Sequence, residues 1–574
     1  MRVLGSLAVL GIIAALFVLL VPQSPQRLES QNPLTLPQDE ITRECEEELK
    51  VLLESISPGR LGISSDRIQA VNRLNAWRSE CSDLVGPEEI AGEQDELRQL
   101  LTAETLTRTL NARFLPEDVS HVRNALLCRD IVARLTDAQP NSIDRYSLLL
   151  QFVVRNEMLV PPDLRKDLPL TPYEALQFGL GTDNDRAWTL AEMLRQLRTD
   201  LVILRPRDAQ AQAHWLMGIV DAKLGTLLYD PRLGLPIPSA QAGSGDAKST
   251  QPATLQEVRG SDQPFRSLDL PDSPYPLTSR HMQDVEILVI GTSSSWAPRM
   301  ARLQFLLPPQ FSAEIFDGLG VNALRAVGLR QRVIEAGQQQ GDWKPEDVKI
   351  WAFPEEQILA FEATRGQGTP NSPLANFTTV FQGPYLPQQG ADGQMVMVPA
   401  EKSLHFVRVE QLKGNLTAAI RDYLPIRSTA RRAPSQSNEL AAEYAALWTG
   451  VAQYDVRKYS AAFNTLGRFV SGQATSAGLV RAGMEWGAEC LVAEKQYAQA
   501  IDLLKRAPAG LSPRRDALLI RQWAAAGGIS LEQKPAAAEA KPLASPATSG
   551  PQLPVSPEGP EPVWVPPAPP TPVQ

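Results

Sequence analysis

The sequence predicts a multidomain α+β protein, and three observations support this fold class. Residues 39–160 carry apolar side chains at spacings of three and four between charged faces, as amphipathic helices do. Short runs rich in β-branched and aromatic residues between 276 and 430 indicate strands in a mixed α/β region. Two copies of a pattern between about 439 and 508 indicate paired helices. A chain of 574 residues is long enough for several compact domains.

The first element along the chain is an uninterrupted apolar run at residues 3–21, VLGSLAVLGIIAALFVLLV, which follows Arg2. Its length matches that of a helix crossing a bilayer. A cleaved signal peptide would have a shorter apolar core and a small-x-small site, whereas residues 21–26 read VPQSPQ. We therefore expect an uncleaved single-pass transmembrane anchor over 1–21, with the bulk of the chain exported to the periplasmic or cell-envelope side. A cleaved signal peptide is the alternative.

Two segments have the composition of unstructured chain. Residues 22–38 are rich in Pro, Gln, Ser and Asn, which suits a flexible stalk. Residues 531–574 are rich in Pro and Ala and poor in large apolar side chains, so we expect a disordered tail. A polar stretch at 240–262 indicates a loop or an insertion.

Between these segments the periodicity predicts individual helices and strands. The expected helices of the first region are 46–56, 65–81, 88–110, 116–135 and 144–159. The expected strands of the mixed α/β region 276–430 are 285–290, 301–307, 348–353 and 405–409.

Charge and cysteine content exclude several classes of function. The net charge is -9, and no stretch combines clustered Lys and Arg with aromatic residues, so nucleic acid is not expected as a partner. The four histidines are scattered and the cysteines lack C-x-x-C spacing, so neither a metal nor another cofactor is expected. Export would permit Cys45 and Cys81 to bridge two helices, and buried free thiols are the alternative.

Residues 181–238 contain three elements in a recognisable order. A helical run spans 187–197, AWTLAEMLRQL, His214-Trp215 opens a second element, and Tyr229-Asp230-Pro231 closes a third. This order resembles the core of the transglutaminase-like, papain-related family. In that family a helix carries the catalytic cysteine in a pattern like Cys-x-x-x-Ala-x-Leu-Leu-Arg-x-Leu, followed by a strand with His and a strand ending in Asp-Pro. The run after Tyr229 also resembles this domain in large bacterial envelope proteins of planctomycete type. The resemblance implies a transglutaminase-like α+β core over 161–275.

The resemblance places Ala187 at the position of the catalytic cysteine. Acyl transfer in this family needs a thiolate at a helix N-terminus, with a neighbouring His and a carboxylate that orients it. Because a methyl group cannot attack an acyl carbon, His214 and Asp230 would be vestigial or structural. The spacing His214-Trp215 also departs from the His-x-Trp spacing of the family. The resemblance thus implies an inactive domain, and Cys128 is the alternative nucleophile if the alignment is mistaken.

The 38-residue repeat can be followed position by position. The recurring set is Trp448, Tyr459, Ala462 and Leu466, answered by Trp486, Tyr497, Ala500 and Leu504, with Gly450 answered by Ala488. This pattern resembles tetratricopeptide repeats, in which small residues let two helices pack closely and successive repeats stack. The resemblance implies a helical repeat region over 431–530 that binds a protein partner. An ordinary helical bundle is the alternative.

Together these features favour a membrane-anchored, exported interaction or scaffold protein that is not an enzyme. The first alternative is a cysteine protease or transglutaminase with a misassigned nucleophile. The second is a purely structural envelope protein in which the transglutaminase resemblance is an accident.

Overall fold

The computed structural model describes residues 40–62, 67–81, 94–240, 251–319, 327–366, 372–390, 393–472, 474 and 476–531. The predicted anchor and stalk, and all of the predicted tail after residue 531, lie outside these ranges. No helix within them is both long and apolar enough to cross a membrane. The described residues up to 529 belong to one compact unit.

The first part of the chain is helical, as the periodicity predicts. Its helices are α1 (Glu40–Ser55), α2 (Arg67–Glu80), α3 (Gln94–Leu100), α4 (Ala103–Thr109), α5 (Pro116–Thr136) and α6 (Ser142–Asn156). The single helix predicted over 88–110 is wrong, because the chain turns at Leu101 and starts a new helix. The Thr102 hydroxyl accepts a hydrogen bond from the Thr105 amide at 3.2 Å and so caps α4.

Helices α1, α2 and α5 share an apolar core of their own. Within it, Cys45 and Cys81 form a disulfide, so the alternative of two free thiols is wrong. The indole of Trp77 donates to the Cys45 carbonyl oxygen at 2.9 Å. The bridge therefore fastens the start of the described chain to the end of α2.

The next segment leads into a central sheet. Its elements are β1 (Met158–Leu159), α7 (Pro162–Lys166), α8 (Pro172–Phe178), β2 (Leu180–Gly181), α9 (Asp183–Gln196), β3 (Asp200–Pro206), β4 (Leu216–Asp221), β5 (Gly225–Asp230) and β6 (Leu235–Pro236). They are followed by α10 (Leu255–Gly260), α11 (Gln263–Arg266), α12 (Ser279–Gln283), β7 (Val285–Val289), α13 (Ser293–Trp296), α14 (Pro298–Leu306), α15 (Leu329–Gln340) and β8 (Val348–Ile350).

Six of these strands form one sheet in the order β6-β5-β4-β3-β7-β8. The pairs are antiparallel except β7 with β8, which is parallel. Alternate side chains enter two cores: Ile203 and Met217 face α9, whereas Val202 and Leu216 face α10 and α15. The sheet is therefore covered by helices on both faces, and α9 is buried at its centre.

Two of the four strands predicted in the mixed region are wrong. Strands β7 and β8 confirm the runs at 285–290 and 348–353, but 301–307 lies largely in α14 and 405–409 lies in a helix. This part continues with α16 (Phe353–Gly366), α17 (Pro373–Gln382), β9 (Tyr385–Gln389), β10 (Met395–Pro399) and α18 (Leu404–Lys413). Pro298 starts α14, and the Ser403 hydroxyl caps α18.

The last part of the chain that the structure describes is a series of consecutive helices joined by short turns. They are α19 (Leu416–Arg432), α20 (Gln436–Asp455), α21 (Tyr459–Gly472), α22 (Ala477–Ala493), α23 (Tyr497–Arg506) and α24 (Pro513–Gly527). The turns after α20 and α22 repeat each other: Arg457 and Lys495 both have φ of 61°. The amide of Lys458 donates to Gln453 at 2.9 Å, and that of Gln496 to Leu491 at 2.8 Å. The 38-residue period is thus present in the backbone geometry.

The repeated small residues fit their expected packing role. A Cβ at Gly450 of α20 would lie 2.6 Å from Leu466 Cδ2 of α21, so only glycine allows this close approach. At the matching position Ala488 of α22 is fully buried in a cluster with Leu504 of α23.

Trp448 also joins the repeats to the rest of the molecule. Gly179, at the C-terminal end of α8, has φ of 70°, and a Cβ there would lie 2.4 Å from Trp448 Cζ2. One apolar cluster runs without interruption from α5 through the sheet and α18 to α22. The C-terminal helices therefore share a core with the α/β part.

We expect Gly179→Ala to destabilise the chain by roughly 2–5 kcal/mol, because it combines a left-handed backbone with a clash against a buried indole. The midpoint of urea-induced unfolding, followed by circular dichroism, measures this loss. Gly467→Ala is the matched control, since its Cβ would meet nothing within 4 Å and α21 would gain helix propensity. Equal midpoints for both variants would contradict the proposed packing of Gly179 on Trp448.

Candidate functional site

The candidate site lies at the N-terminus of α9, where the sequence resemblance places a nucleophile. Thr182 caps the helix, because its hydroxyl accepts from the Asp185 amide while Asp185 Oδ2 accepts from the Thr182 amide at 2.8 Å. Arg165 then binds both carboxylate oxygens of Asp185, at 2.7 and 2.8 Å. This capping box and ion pair fix where the helix begins.

The helix begins four residues before Ala187. Ala187 lies in the second turn and is fully buried in the main core among Leu190, Met193 and Leu194. The residue at the first helical position is Asp183, whose side chain is 18% exposed. The helix dipole and the free amides act at this first turn. Asp183, rather than Ala187, therefore occupies the place that a helix N-terminal nucleophile needs.

Arg232 connects Asp183 to His214. Its Nε lies 2.6 Å from Asp183 Oδ2, its Nη1 lies 3.2 Å from His214 Nδ1, and its Nη2 donates to the Ala213 carbonyl oxygen at 2.6 Å. A guanidinium group can only donate, so the Nδ1 lone pair of His214 is engaged as an acceptor. Burial and then the Arg232 charge lower the pKa of His214, which favours the neutral ring. The three residues form an ion-paired cluster, not a proton relay.

Asp230 serves the turn after β5 instead of His214. Its Oδ1 accepts from the amides of Arg232 and Leu233 at 2.8 and 2.9 Å, and its Oδ2 accepts from the Tyr275 hydroxyl at 2.7 Å. Burial raises the pKa of Asp230. Both carboxylate oxygens thus have partners that hold the turn. The structure brings His214 close to Asp183 through Arg232 but does not bring Asp230 into a hydrogen bond with it.

A second buried group lies beneath the start of α9. Glu157 is fully buried, and neither of its carboxyl oxygens finds a hydrogen-bond partner among the described residues. Burial raises the pKa of Glu157 to about 8. The neighbouring Arg186 does not bind this carboxyl, and its Nη2 donates to the Glu157 backbone carbonyl oxygen at 2.7 Å. Glu157 is therefore mostly neutral at pH 7.

The two free cysteines do not have the properties of a catalytic thiol. Cys128 is fully buried within α5, and burial raises the pKa of its thiol well above the usual range. Cys490 of α22 is buried too, and burial raises the pKa of its thiol to about 12. Neither thiol has the electropositive, accessible surroundings that produce a reactive thiolate. Among the described residues, no group of three or more His, Cys, Asp or Glu could hold a metal ion.

The small and aliphatic residues that recur in the repeat lie in the interior of the helical region. Ala462, Leu466, Ala500 and Leu504 are buried. The aromatic members differ in surroundings. Trp448 is 1% exposed and packs beneath Arg408. Trp486 packs edge-on against Tyr454, with 5.2 Å between the ring centroids.

The sequence did not predict Asp183 and Arg232 of the cluster or the neighbouring Arg186. One of them had a signal: Thr182-x-x-Asp185 is a capping-box pattern that starts a helix at residue 183. The arginines carry no such local signal, because their partners come from other elements.

Comparison of the chain with protein-family models, with curated proteins and with solved structures gives no match in any of the three.

A cysteine introduced at each of the two positions distinguishes them. We expect Asp183→Cys to react with iodoacetamide and to show a thiol pKa a unit or more below ~8.5, because the helix N-terminus and Arg232 favour a thiolate. Ala187→Cys should stay unreactive in its buried position. The measurement is the alkylation rate against pH, with the unmodified chain as the control for Cys128 and Cys490. Faster labelling at 187 than at 183 would contradict this placement of the helix start.

Replacement of Glu157 by Gln should change how stability depends on pH. The folded-state pKa of about 8 lies above the ordinary value of 4.5, so the wild-type chain loses stability as pH rises through this interval. Glu157→Gln has no such loss, and its advantage should grow by about a few kcal/mol between pH 5 and pH 8.5. Urea unfolding at both pH values measures it. Exposed Glu439→Gln is the control and should follow the wild type; a constant difference for Glu157→Gln would exclude this linkage.

Proposed function

We propose that this protein is a membrane-anchored, exported scaffold whose transglutaminase-like core is catalytically inactive and whose C-terminal helices hold a protein partner. The apolar run at 3–21 supports the anchor and export. The order of α9, β3, β4 and β5 supports the likeness of the core to the transglutaminase family.

One observation carries the proposal of an inactive core. Arg232 lies between the residue at the helix N-terminus and His214, and it donates to the ring nitrogen that is unprotonated in the neutral ring. A general base needs a free lone pair within reach of the proton it removes. With Asp183 ion-paired and His214 engaged, neither a nucleophile nor an available base is present in this cluster.

The described residues give the enzymatic alternative little support. It depends on Cys128, which lies in α5. Every residue of this helix from Val119 to Cys128 is buried. A thiol there cannot meet an acyl substrate unless α5 leaves the core.

The partner surface is proposed on the outward faces of α21 and α23. Helix α20 is enclosed, since all but one of residues 441–452 are buried against the rest of the molecule. By contrast Asn464 and Arg468 of α21, and Gln499 and Asp502 of α23, are exposed. Paired helices of fixed spacing present a rigid surface of this kind to partners.

Site-specific photo-crosslinking in the native cell tests the scaffold function. A benzoylphenylalanine at Asn464 or at Gln499 should give the same discrete protein adducts, identified by mass spectrometry. The matched control carries the same amino acid at Arg73, an exposed position on α2, and should not give these adducts.

A thiol-directed acyl probe on the same material separates the two functions. No labelling of the wild-type chain is expected. Rapid labelling that Cys128→Ala abolishes would establish the cysteine enzyme instead, and adducts of equal pattern at 73, 464 and 499 would refute the proposed surface.

A further inference from the structure

Two adjoining cavities lie between the α/β part and the C-terminal helices, with volumes of about 270 and about 670 Å³. One wall is formed by α6 and the chain just after it, and the other by α22 and α24. The larger volume is in the range of small-molecule sites, and the smaller lies just below that range. The cavities form one cleft, because they share the lining residues Val154, Arg155, Glu489, Arg515, Leu519 and Trp523.

In the smaller cavity arginines outnumber carboxylates, and the larger cavity adds one carboxylate, that of Asp144. The smaller cavity is lined by four guanidinium groups and three carboxylates, namely Arg155, Arg186, Arg481 and Arg515 with Glu485, Glu489 and Asp516. This leaves one positive charge in excess inside a partly enclosed space, where water screens charges less than at the surface.

Two of these four arginines, Arg481 and Arg155, form the close ion pairs with the three carboxylates. Arg481 Nη2 lies 2.6 Å from Glu485 Oε1 and 2.7 and 2.8 Å from the two oxygens of Asp516. Arg155 Nη2 lies 3.1 Å from Glu489 Oε2. The other two, Arg186 and Arg515, make no hydrogen bond to a carboxylate among the described residues, and Arg515 shares Glu485 with Arg481 at a longer distance.

Arg515 is the less satisfied of these two. Its Nη1 is 4.0 Å from Glu485 Oε2, beyond hydrogen-bond distance, and its buried Nε finds no acceptor among the described residues. The side chain is only 15% exposed. A buried donor without a partner is costly, so this group favours an acceptor brought by a ligand.

Arg186 is fixed beside it. Its guanidinium donates only to backbone carbonyl oxygens, those of Val154, Glu157 and Pro231. Burial and then the Arg515 charge lower the pKa of Arg186 to about 10, so Arg186 remains positive at neutral pH and is repelled by the Arg515 charge. A carboxylate or phosphate between them would offset this repulsion, because guanidinium groups bind both anions through paired N–H donors.

Apolar side chains also line the cleft, together with polar ones in the larger cavity. Trp523 and Leu519 of α24 line both cavities, and Met158, Val160 and Leu504 line the smaller one. A fully hydrated inorganic anion would leave this surface uncovered. The lining suits a ligand with an apolar body attached to its charged group.

We propose that this cleft binds a small amphiphilic anion whose carboxylate or phosphate lies against Arg515 and Arg186 and whose apolar body packs on Trp523 and Leu519. The site does not depend on the proposed partner surface, because that surface is on the outward faces of α21 and α23.

Calorimetric titration of the full chain, purified in a neutral detergent, tests the site with 4-phenylbutyrate and phenyl phosphate as probes. Heats from protein-free detergent buffer are subtracted. We expect saturable one-to-one binding of at least one probe, weakened at least tenfold in Arg515→Gln and by added NaCl. The stronger probe identifies the head group. Arg506→Gln is the matched control, since this arginine is exposed on α23 and outside the cleft, and it should bind as the wild type does.

Binding of the neutral analogue 4-phenylbutanol to the wild-type chain tests the anion site without a variant, so the result does not depend on whether a variant folds. Equally tight binding of 4-phenylbutanol to the wild-type chain would overturn the anion site, as would the absence of saturable binding by both anions. Undiminished binding in a folded Arg515→Gln variant would overturn the assignment of that residue.

Discussion

The connection between the α/β part and the C-terminal helices depends on one buried guanidinium group. Arg408 of α18 is fully buried, and it donates to the Leu176 carbonyl oxygen at 3.1 Å and to Asn156 Oδ1 at 2.8 Å. Its Cζ lies 3.5 Å from the centre of the Trp448 ring. Burial lowers its pKa to about 10, so it stays charged at neutral pH. Because the Leu176 carbonyl belongs to the unpaired end of α8, one side chain caps that helix while also packing against α20. Separation of the repeats from the core would remove the Trp448 ring from this buried charge.

The same use of arginine accounts for the state of the candidate site. Arg186 and Arg232 hold the chain around the start of α9 by donating to backbone carbonyl oxygens, as Arg408 does for α8. At Arg232 this structural role occupies the space between the helix N-terminus and His214 that acyl-transfer chemistry would need. This arrangement fixes the start of α9. Because Arg232 donates to Nδ1 of His214, that nitrogen has no free lone pair. The guanidinium that fixes the chain here is thus the same one that engages the His214 ring.

Much of the fold could be predicted where local pattern and tertiary environment agree. The helix at 116–135 and the strand at 285–290 follow from periodicity and composition, and the repeated turns follow from the 38-residue spacing. The run at 405–409 shows where this fails. Its sequence, His-Phe-Val-Arg-Val, has the β-branched and aromatic content typical of a strand, but α18 lies inside the core, where the polar residues His405 and Arg408 are buried with their own partners. A helix enclosed on most sides loses the periodicity that distinguishes it from a strand.

The candidate site was predictable in kind but not in register. The resemblance aligns residues 187–197 with the family's helix by their apolar side chains. Such side chains recur on one face at every turn, so an alignment shifted by one turn keeps them on the same face. The capping box at Thr182 and Asp185 fixes the start of the helix independently of that pattern, and it places the first helical residue at Asp183, one turn before Ala187. The ion-pair partner of that position comes from a distant part of the chain, because Arg232 lies beyond β5. Such groups meet only through packing, so the sequence supplies the chemistry of each side chain and the fold decides which charges remain unpaired.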